Sequence, residues 1–172
     1  MERVNLSMDS NSTKYYSSKQ EKMIADHLGW SVVTGSGSRS THPGDVESDE
    51  WLGECKTHKG PGHKIKFDHN VWKKIVDEAA SKYKFPVLFV DDGSQTMRHT
   101  WCMFSTSPSV PCLSTNYLLP VKSNIIFDSD TMMIHRRSIQ TDKPVIYVVK
   151  FSSKVLFVST FEDFVEMFSN FG

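Results

Sequence analysis

The chain has 172 residues, 38% of them hydrophobic and 12% aromatic, with 20 Lys and Arg balanced by 20 Asp and Glu. This composition excludes global disorder, and the length allows one domain, or one domain with an elaboration, around a real core. No apolar run approaches bilayer length and there is no apolar signal core, so the chain reads as soluble and cytoplasmic, with no membrane partner.

Residues 1 to 16, rich in Ser, Asn and Thr without periodicity, read as a mobile N-terminal arm. Residues 18 to 28 predict a helix with Met23, Ile24, Ala25 and Leu28 on its apolar side and Gly29 as its stop. A strand follows over Trp30 to Thr34, then a loop, Gly35-Ser36-Gly37-Ser38-Arg39. Val46 to Ser48 and Trp51 to Thr57 predict a hairpin. Lys59 to Lys66, with Gly60, Pro61 and Gly62, reads as a flexible loop. Asp68 is a good N-cap for a helix to about Lys82, with Val71, Trp72, Ile75, Val76, Ala79, Ala80 and Tyr83 forming its buried face. Phe85 to Val90 is almost wholly apolar, as expected of a central strand covered on both sides.

After Asp91 the pattern weakens. Short strand-like pieces lie at Trp101 to Phe104 and Asn124 to Phe127 among scattered prolines. Val145 to Phe151 and Val155 to Val158 predict a second hairpin turning at Ser152-Ser153-Lys154, and Phe161 to Phe168 a closing helix capped by Thr160. The fold class is α/β, a mixed sheet flanked by helices, with residues 17 to 91 as the core and 92 to 172 as a C-terminal elaboration packed on the same domain.

The three cysteines, Cys55, Cys102 and Cys112, have no CxxC spacing and read as reduced, partly buried thiols. Net charge is zero, but lysines 56, 59, 64, 66, 73, 74, 82 and 84 face only Asp68, Asp77 and Glu78 in their segment. Such a local patch steers phosphates, and Lys59, Lys64 and Lys66 are candidates to bind a nucleic-acid backbone; a solvated lysine-rich face is the alternative. His58, His63 and His69 match no compact metal spacing and read as solvated or phosphate-contacting, and His42 as a loop residue.

The hairpin carries the chemistry. If it turns at Asp49-Glu50, Asp45 stands across from Glu54, where opposed like charges destabilise the pair unless a divalent cation lies between them. Glu54 and Lys56, two apart, share a face. Two hard carboxylates with an ammonium beside them suit phosphodiester hydrolysis.

"PGDVESDEWLGECKT" resembles the core of the PD-(D/E)xK nucleases. "SSKQEKMIADHLGW", "GSGSR", "GDV", "ECKT" and "IKFDHNVWKKIVDEAASKYKFPVLFV" are together similar to Holliday junction resolvase-like endonucleases of the archaeal and phage type, over residues 17 to 90. The resemblance implies a restriction-endonuclease-like αβββαβ core and hydrolysis of branched DNA with Mg²⁺, for which Mn²⁺ substitutes, and no small-molecule cofactor. It implies Asp45, Glu54 and the Cys55 carbonyl as metal ligands and Lys56 as the catalytic lysine. Glu21 would support the metal, although Ser18-x-x-Glu21 also reads as a capping box in which Glu21 bonds backbone. Ser36, Ser38 and Arg39 would approach the scissile phosphate; for Arg39 a surface charge is the alternative. Two symmetric cuts in a junction imply a homodimer, for which Val145 to Val149, Val155 to Val158, Phe161, Phe164, Phe168 and Phe171 offer a surface, unless they cap the core. The competing functions are a nuclease on linear or mismatched DNA, and a nuclease-fold DNA-binding or inhibitory protein working through a protein partner.

Overall fold

The computed structural model describes residues 12–35, 42–116, 124–151 and 154–168. It is an α/β protein with a mixed eight-stranded sheet, a separate two-stranded sheet and, among the described residues, four α-helices. In chain order the elements are α1 (Thr13–Leu28), β1 (Ser31–Val32), β2 (Val46–Glu47), β3 (Trp51–Lys56), β4 (Ile65–Asp68), α2 (His69–Ser81) and β5 (Phe85–Asp91). There follow β6 (Thr100–Phe104), β7 (Leu113–Asn116), β8 (Asn124–Phe127), α3 (Ser129–Ser138), β9 (Val145–Phe151), β10 (Lys154–Thr160) and α4 (Phe161–Phe168). Among the described residues no helix is long and apolar enough to cross a membrane.

The large sheet runs β1-β2-β3-β5-β6-β10-β9-β7, so the C-terminal strands continue the sheet that the N-terminal half begins. β3 and β5 are parallel, whereas β2 is antiparallel to both β1 and β3. One face is covered by α2, α3 and the β4–β8 pair through Trp72, Ile75, Phe67, Phe127 and Met132. The other is covered by α1 and α4 through Ile24, Leu28, Phe161 and Phe164. The aromatics of α4 pack directly behind the central strands: the Phe164 ring lies 5.5 Å from that of Trp51 and 5.6 Å from that of Phe89.

Several expectations change. α1 begins at Thr13 rather than Ser18, because the Ser12 side chain accepts from the Tyr15 N–H at 3.1 Å and caps it. The supposed arm therefore ends by residue 11, and residues 1–11 lie outside those described. Helix α2 is capped by Asp68, whose side chain accepts from the N–H groups of Asn70 and Val71, but Ala80 and Tyr83 do not join its buried face. Tyr83 is 98% exposed with φ 57°, in the left-handed position that ends a helix, and the Lys84 N–H reaches back to Ala79 O at 2.9 Å.

Ile65 to Lys66 is strand rather than loop, since Ile65 and Phe67 alternate inward against Phe127 and Ile125 of β8. The preceding glycine-rich loop is fastened down: the His63 N–H donates to Asp92 O at 3.0 Å, and a Cβ on Gly93 would lie 1.7 Å from Gly60 O. Helix α3 was not expected at all. Asp128 caps it by accepting from the Thr131 N–H and hydroxyl, and Ser129 Oγ accepts from Trp101 Nε1 at 3.1 Å.

The second hairpin pairs Lys154 with Phe151, so Lys154 belongs to β10 rather than to the turn; residues 152–153 lie outside the described residues. Thr160 caps α4 as expected, its hydroxyl accepting from the Asp163 N–H at 3.0 Å. The proposed dimer surface is corrected. Val145, Tyr147, Val149, Leu156, Val158, Phe161 and Phe164 are buried in the chain's own core, the capping alternative, whereas Val155 of the same set is exposed; Phe171 lies outside those described.

Candidate active site

The hairpin register is the one the sequence suggested, with Val46 opposite Gly53 and Glu47 opposite Leu52. The Asp45 N–H also donates to Gly53 O, at 2.8 Å, so Asp45 and Val46 both bond to β3 at Gly53; this bulge ends the regular pairing and leaves Asp45 one residue short of the direct Glu54 partnership expected. Two glycines make this possible. Gly44 has φ 77°, and a Cβ there would lie 2.6 Å from Leu52 Cδ1. A Cβ on Gly53 would lie 2.7 Å from Val46 Cγ2 and 2.8 Å from Phe89 Cε2, so only glycine lets β2 and the core ring close on β3 here.

Asp45 turns along the strand, where its Oδ2 accepts from the Cys55 N–H at 2.8 Å. The N–H and C=O of one residue in an antiparallel strand face the same neighbour, so the Cys55 carbonyl points to the Asp45 side as well. Glu54, its side chain 5% exposed, accepts from Lys56 Nζ at 2.6 Å, confirming that the two share a face. Its other oxygen accepts from Lys74 Nζ of α2 at 3.4 Å. Lys74 also lies 3.6 Å from Glu78 Oε1, and Glu78 Oε2 accepts from the Gly44 N–H at 3.2 Å. Lys74 and Glu78 are site residues that sequence reasoning missed. Their i, i+4 spacing on the polar face of the helix that follows the hairpin is the spacing of any solvated ion pair, so it gives no site signal of its own.

Helix α1 reaches the same place from the other face. With the cap at Ser12, Ser18 lies inside the helix and forms no capping box, leaving Glu21 free to face the acids of the hairpin. Burial, then the charges of Asp45 and Glu54, push the Glu21 carboxyl up to about 7 against the pull of Lys56. Asp45 is also raised, by burial and by Glu54, with the Cys55 N–H opposing. Burial alone would lower the Lys56 ammonium, but the Glu54 hydrogen bond and charge, with Asp45, leave it above its ordinary value. Gln20, fully buried beside Glu21, donates from Nε2 to Lys56 O at 2.9 Å and fixes the end of β3 to α1. A polar residue on the stripe of Ile24 and Leu28 was the clue to it.

Among the described residues, no group of three His, Cys, Asp or Glu stands close enough to ligate one ion as arranged. Mg²⁺ does not need one, because it keeps several waters and binds through one or two carboxylates. Asp45, Glu54 and the Cys55 carbonyl offer hard oxygens on one edge, and burial with mutual repulsion raises both the Glu21 and the Asp45 carboxyl above their ordinary values. The donor set fits a hard divalent cation.

Lys59 and Lys64 stand exposed on the loop after β3, while Lys66 lies on β4, 3.1 Å from the Asp68 carboxylate and partly neutralised by it. Ser36, Ser38 and Arg39 lie outside the described residues. His58 and His63 stack at 4.4 Å across the loop, and burial with the neighbouring His63 lowers the His58 imidazole. At the end of β5, Asp91 accepts from the Thr57 hydroxyl and the Gly93 N–H, and burial lifts it to about 6. All three cysteines are free, Cys55 and Cys102 buried. Compared with known protein families, curated proteins and solved structures, the chain matches none.

Proposed function

We propose that this chain is a Mg²⁺-dependent endodeoxyribonuclease that hydrolyses phosphodiester bonds in branched, Holliday junction-like DNA. The observation that supports this reading most is the convergence of Asp45, Glu54 and Lys56 at the end of β3 with Glu21 of α1, an excess of negative charge that a divalent cation would relieve. The succession α1, β1, β2, β3, α2, β5, with β3 and β5 parallel, supports a restriction-endonuclease-like core, β4 being an insertion before α2.

A divalent cation bound there supplies Lewis-acid polarisation of the phosphoryl oxygen and acidifies the attacking water. Asp45, aimed by the Cys55 N–H, and Glu54 hold the cation. Lys56 lies beside Glu54 on the face open to substrate, where its ammonium orients the water and offsets negative charge developing on phosphorus-bound oxygens. Glu21, facing the same acids from α1, supports the cation or accepts the proton that the water gives up. Lys59 and Lys64 bind flanking phosphates. Two such sites, one per protomer of a dimer, would cut a junction symmetrically.

The test is cleavage of four-way junction, flap, mismatched duplex, linear duplex and single-stranded DNA with Mg²⁺, Mn²⁺ or a chelator, using wild type and Glu54→Ala. Cutting of the junction in Mg²⁺, abolished by chelator and by Glu54→Ala, is expected. Preference for linear or mismatched duplex would keep the chemistry and replace the substrate. Tight DNA binding without cutting in either metal would make the chain a binding or inhibitory protein on a nuclease fold.

A further inference from the structure

We propose that Lys74 is a second working lysine of this site: it occupies Glu54 while the site lacks a cation and turns to the substrate's phosphate when the cation enters. The inference rests on the nuclease reading above and goes beyond it, to how the site is held ready.

Glu54 is nearly buried, and its two oxygens are taken by two ammoniums from different elements, Lys56 of β3 at 2.6 Å and Lys74 of α2 at 3.4 Å. One lysine suffices to balance one carboxylate, so the second is available for other work. Lys74 is the longer contact and its side chain is 54% exposed, whereas the helix beneath it is fixed by Trp72, Ile75 and Ala79 in the core. The backbone therefore stays while the side chain moves. A cation held by Asp45 and Glu54 would repel an ammonium resting on Glu54 and displace that side chain. The alternative anion already within reach is Glu78, 3.6 Å away and one helical turn on. Glu78 cannot leave with it, because its other oxygen accepts from the Gly44 N–H, just ahead of Asp45. Lys74 so remains tethered over the site at the place where a bound phosphodiester brings the next negative charge. A compact ammonium on a flexible stem is suited to that exchange between carboxylate and phosphate.

A lysine that only braces Glu54 predicts the opposite metal behaviour, which makes the idea testable. Mn²⁺ binding to the full chain without DNA, followed by electron paramagnetic resonance, and kcat and KM on the best-cut DNA at saturating metal would be measured for wild type, Lys74→Ala and Lys74→Arg. Lys74→Ala is expected to bind Mn²⁺ roughly three- to tenfold more tightly, since a competing cation is gone, and to show a KM for DNA raised by a similar factor. Lys74→Arg should return both values toward wild type. Weaker or unchanged Mn²⁺ binding by a folded Lys74→Ala, or an unchanged KM, overturns the role given to Lys74 and leaves the nuclease reading standing. A wild-type chain that neither binds Mn²⁺ nor cuts DNA overturns the nuclease reading itself.

Discussion

The Cys55 N–H donates to the Asp45 carboxylate at 2.8 Å, so the strand that bears Glu54 and Lys56 also aims the acid facing them. Relative position at this site is thus set by a backbone N–H of one strand holding a side chain of the next, with packing in support. Cys55 itself turns its thiol into the core, where burial raises it well above its usual range and leaves it inert.

Gly53→Ala tests that dependence. The added methyl meets Val46 and Phe89, and β2 has to shift from β3. Overpacking of this kind costs about 1–3 kcal/mol. A lower urea midpoint is expected, together with lost cleavage, because Asp45 moves with β2. Full activity in a folded Gly53→Ala would show that the β2–β3 register is not what positions Asp45.

Glu21→Gln should change how stability depends on pH. The folded chain holds the Glu21 carboxyl at about 7, above the ordinary 4.5, so it disfavours the ionised form. The stabilising contribution of this group is complete below about pH 4.5 and is lost as pH rises to about 7. Glutamine cannot ionise. Its advantage over wild type should grow through that window and then level off, at modest size because Glu21 is only half buried. Urea denaturation at several pH values in the absence of divalent cations measures this, and parallel pH curves for the two proteins would contradict it.

Arg136→Ala should be among the most damaging substitutions away from the site. Arg136 grips Asp163 with two hydrogen bonds, at 2.8 and 2.7 Å, joining α3 to α4, and the Asp163 side chain is 5% exposed. Removing one partner of such a pair strands a buried charge at a cost of about 3–5 kcal/mol. Thermal or urea unfolding would show it, and a loss under about 1 kcal/mol would place the pair with ordinary surface ion pairs.

Lys59→Ala and Lys64→Ala should weaken binding of every DNA sequence alike. Each lost phosphate contact lowers the slope of log K against log salt by about one. Fluorescence anisotropy over a salt series gives the slope, and an unchanged slope in the double variant would move the DNA surface off this loop.

Alternation and turn position alone were enough to pair Val46 with Gly53 and to put Glu54 and Lys56 on one face, while the bulge that offsets Asp45 from Glu54 leaves no mark in the sequence; the apolar run was recognisable as a strand buried from Pro86 to Val90. The start of α1 was not, because Ser12 and Ser18 are equally good caps by type and only tertiary packing of Gln20 and Ile24 extends the helix forward. Strand β4 was hidden since four residues alternating Ile-Lys-Phe-Asp are too few to stand out beside a glycine-rich loop. Lys74 and Glu78 were invisible as site residues for a different reason. A helix face of alternating charge looks the same in solvent as it does above a catalytic edge, and only the crossing of α2 over β3 distinguishes the two cases.

Strand β6 has consequences for how the chain is made. All five of its residues, Thr100 to Phe104, are buried, and β5 on one side precedes it in the chain. Its other neighbour, β10, begins only at Lys154, about fifty residues later. At translation rates of about 5–20 residues per second, a growing chain spends several seconds with the site-bearing half of the sheet ready and an apolar edge open beside it. Synthesis, more than equilibrium stability, is therefore the stage at which this protein is most exposed to pairing with another copy of itself, and a pause between Phe104 and Lys154 would lengthen that exposure in direct proportion.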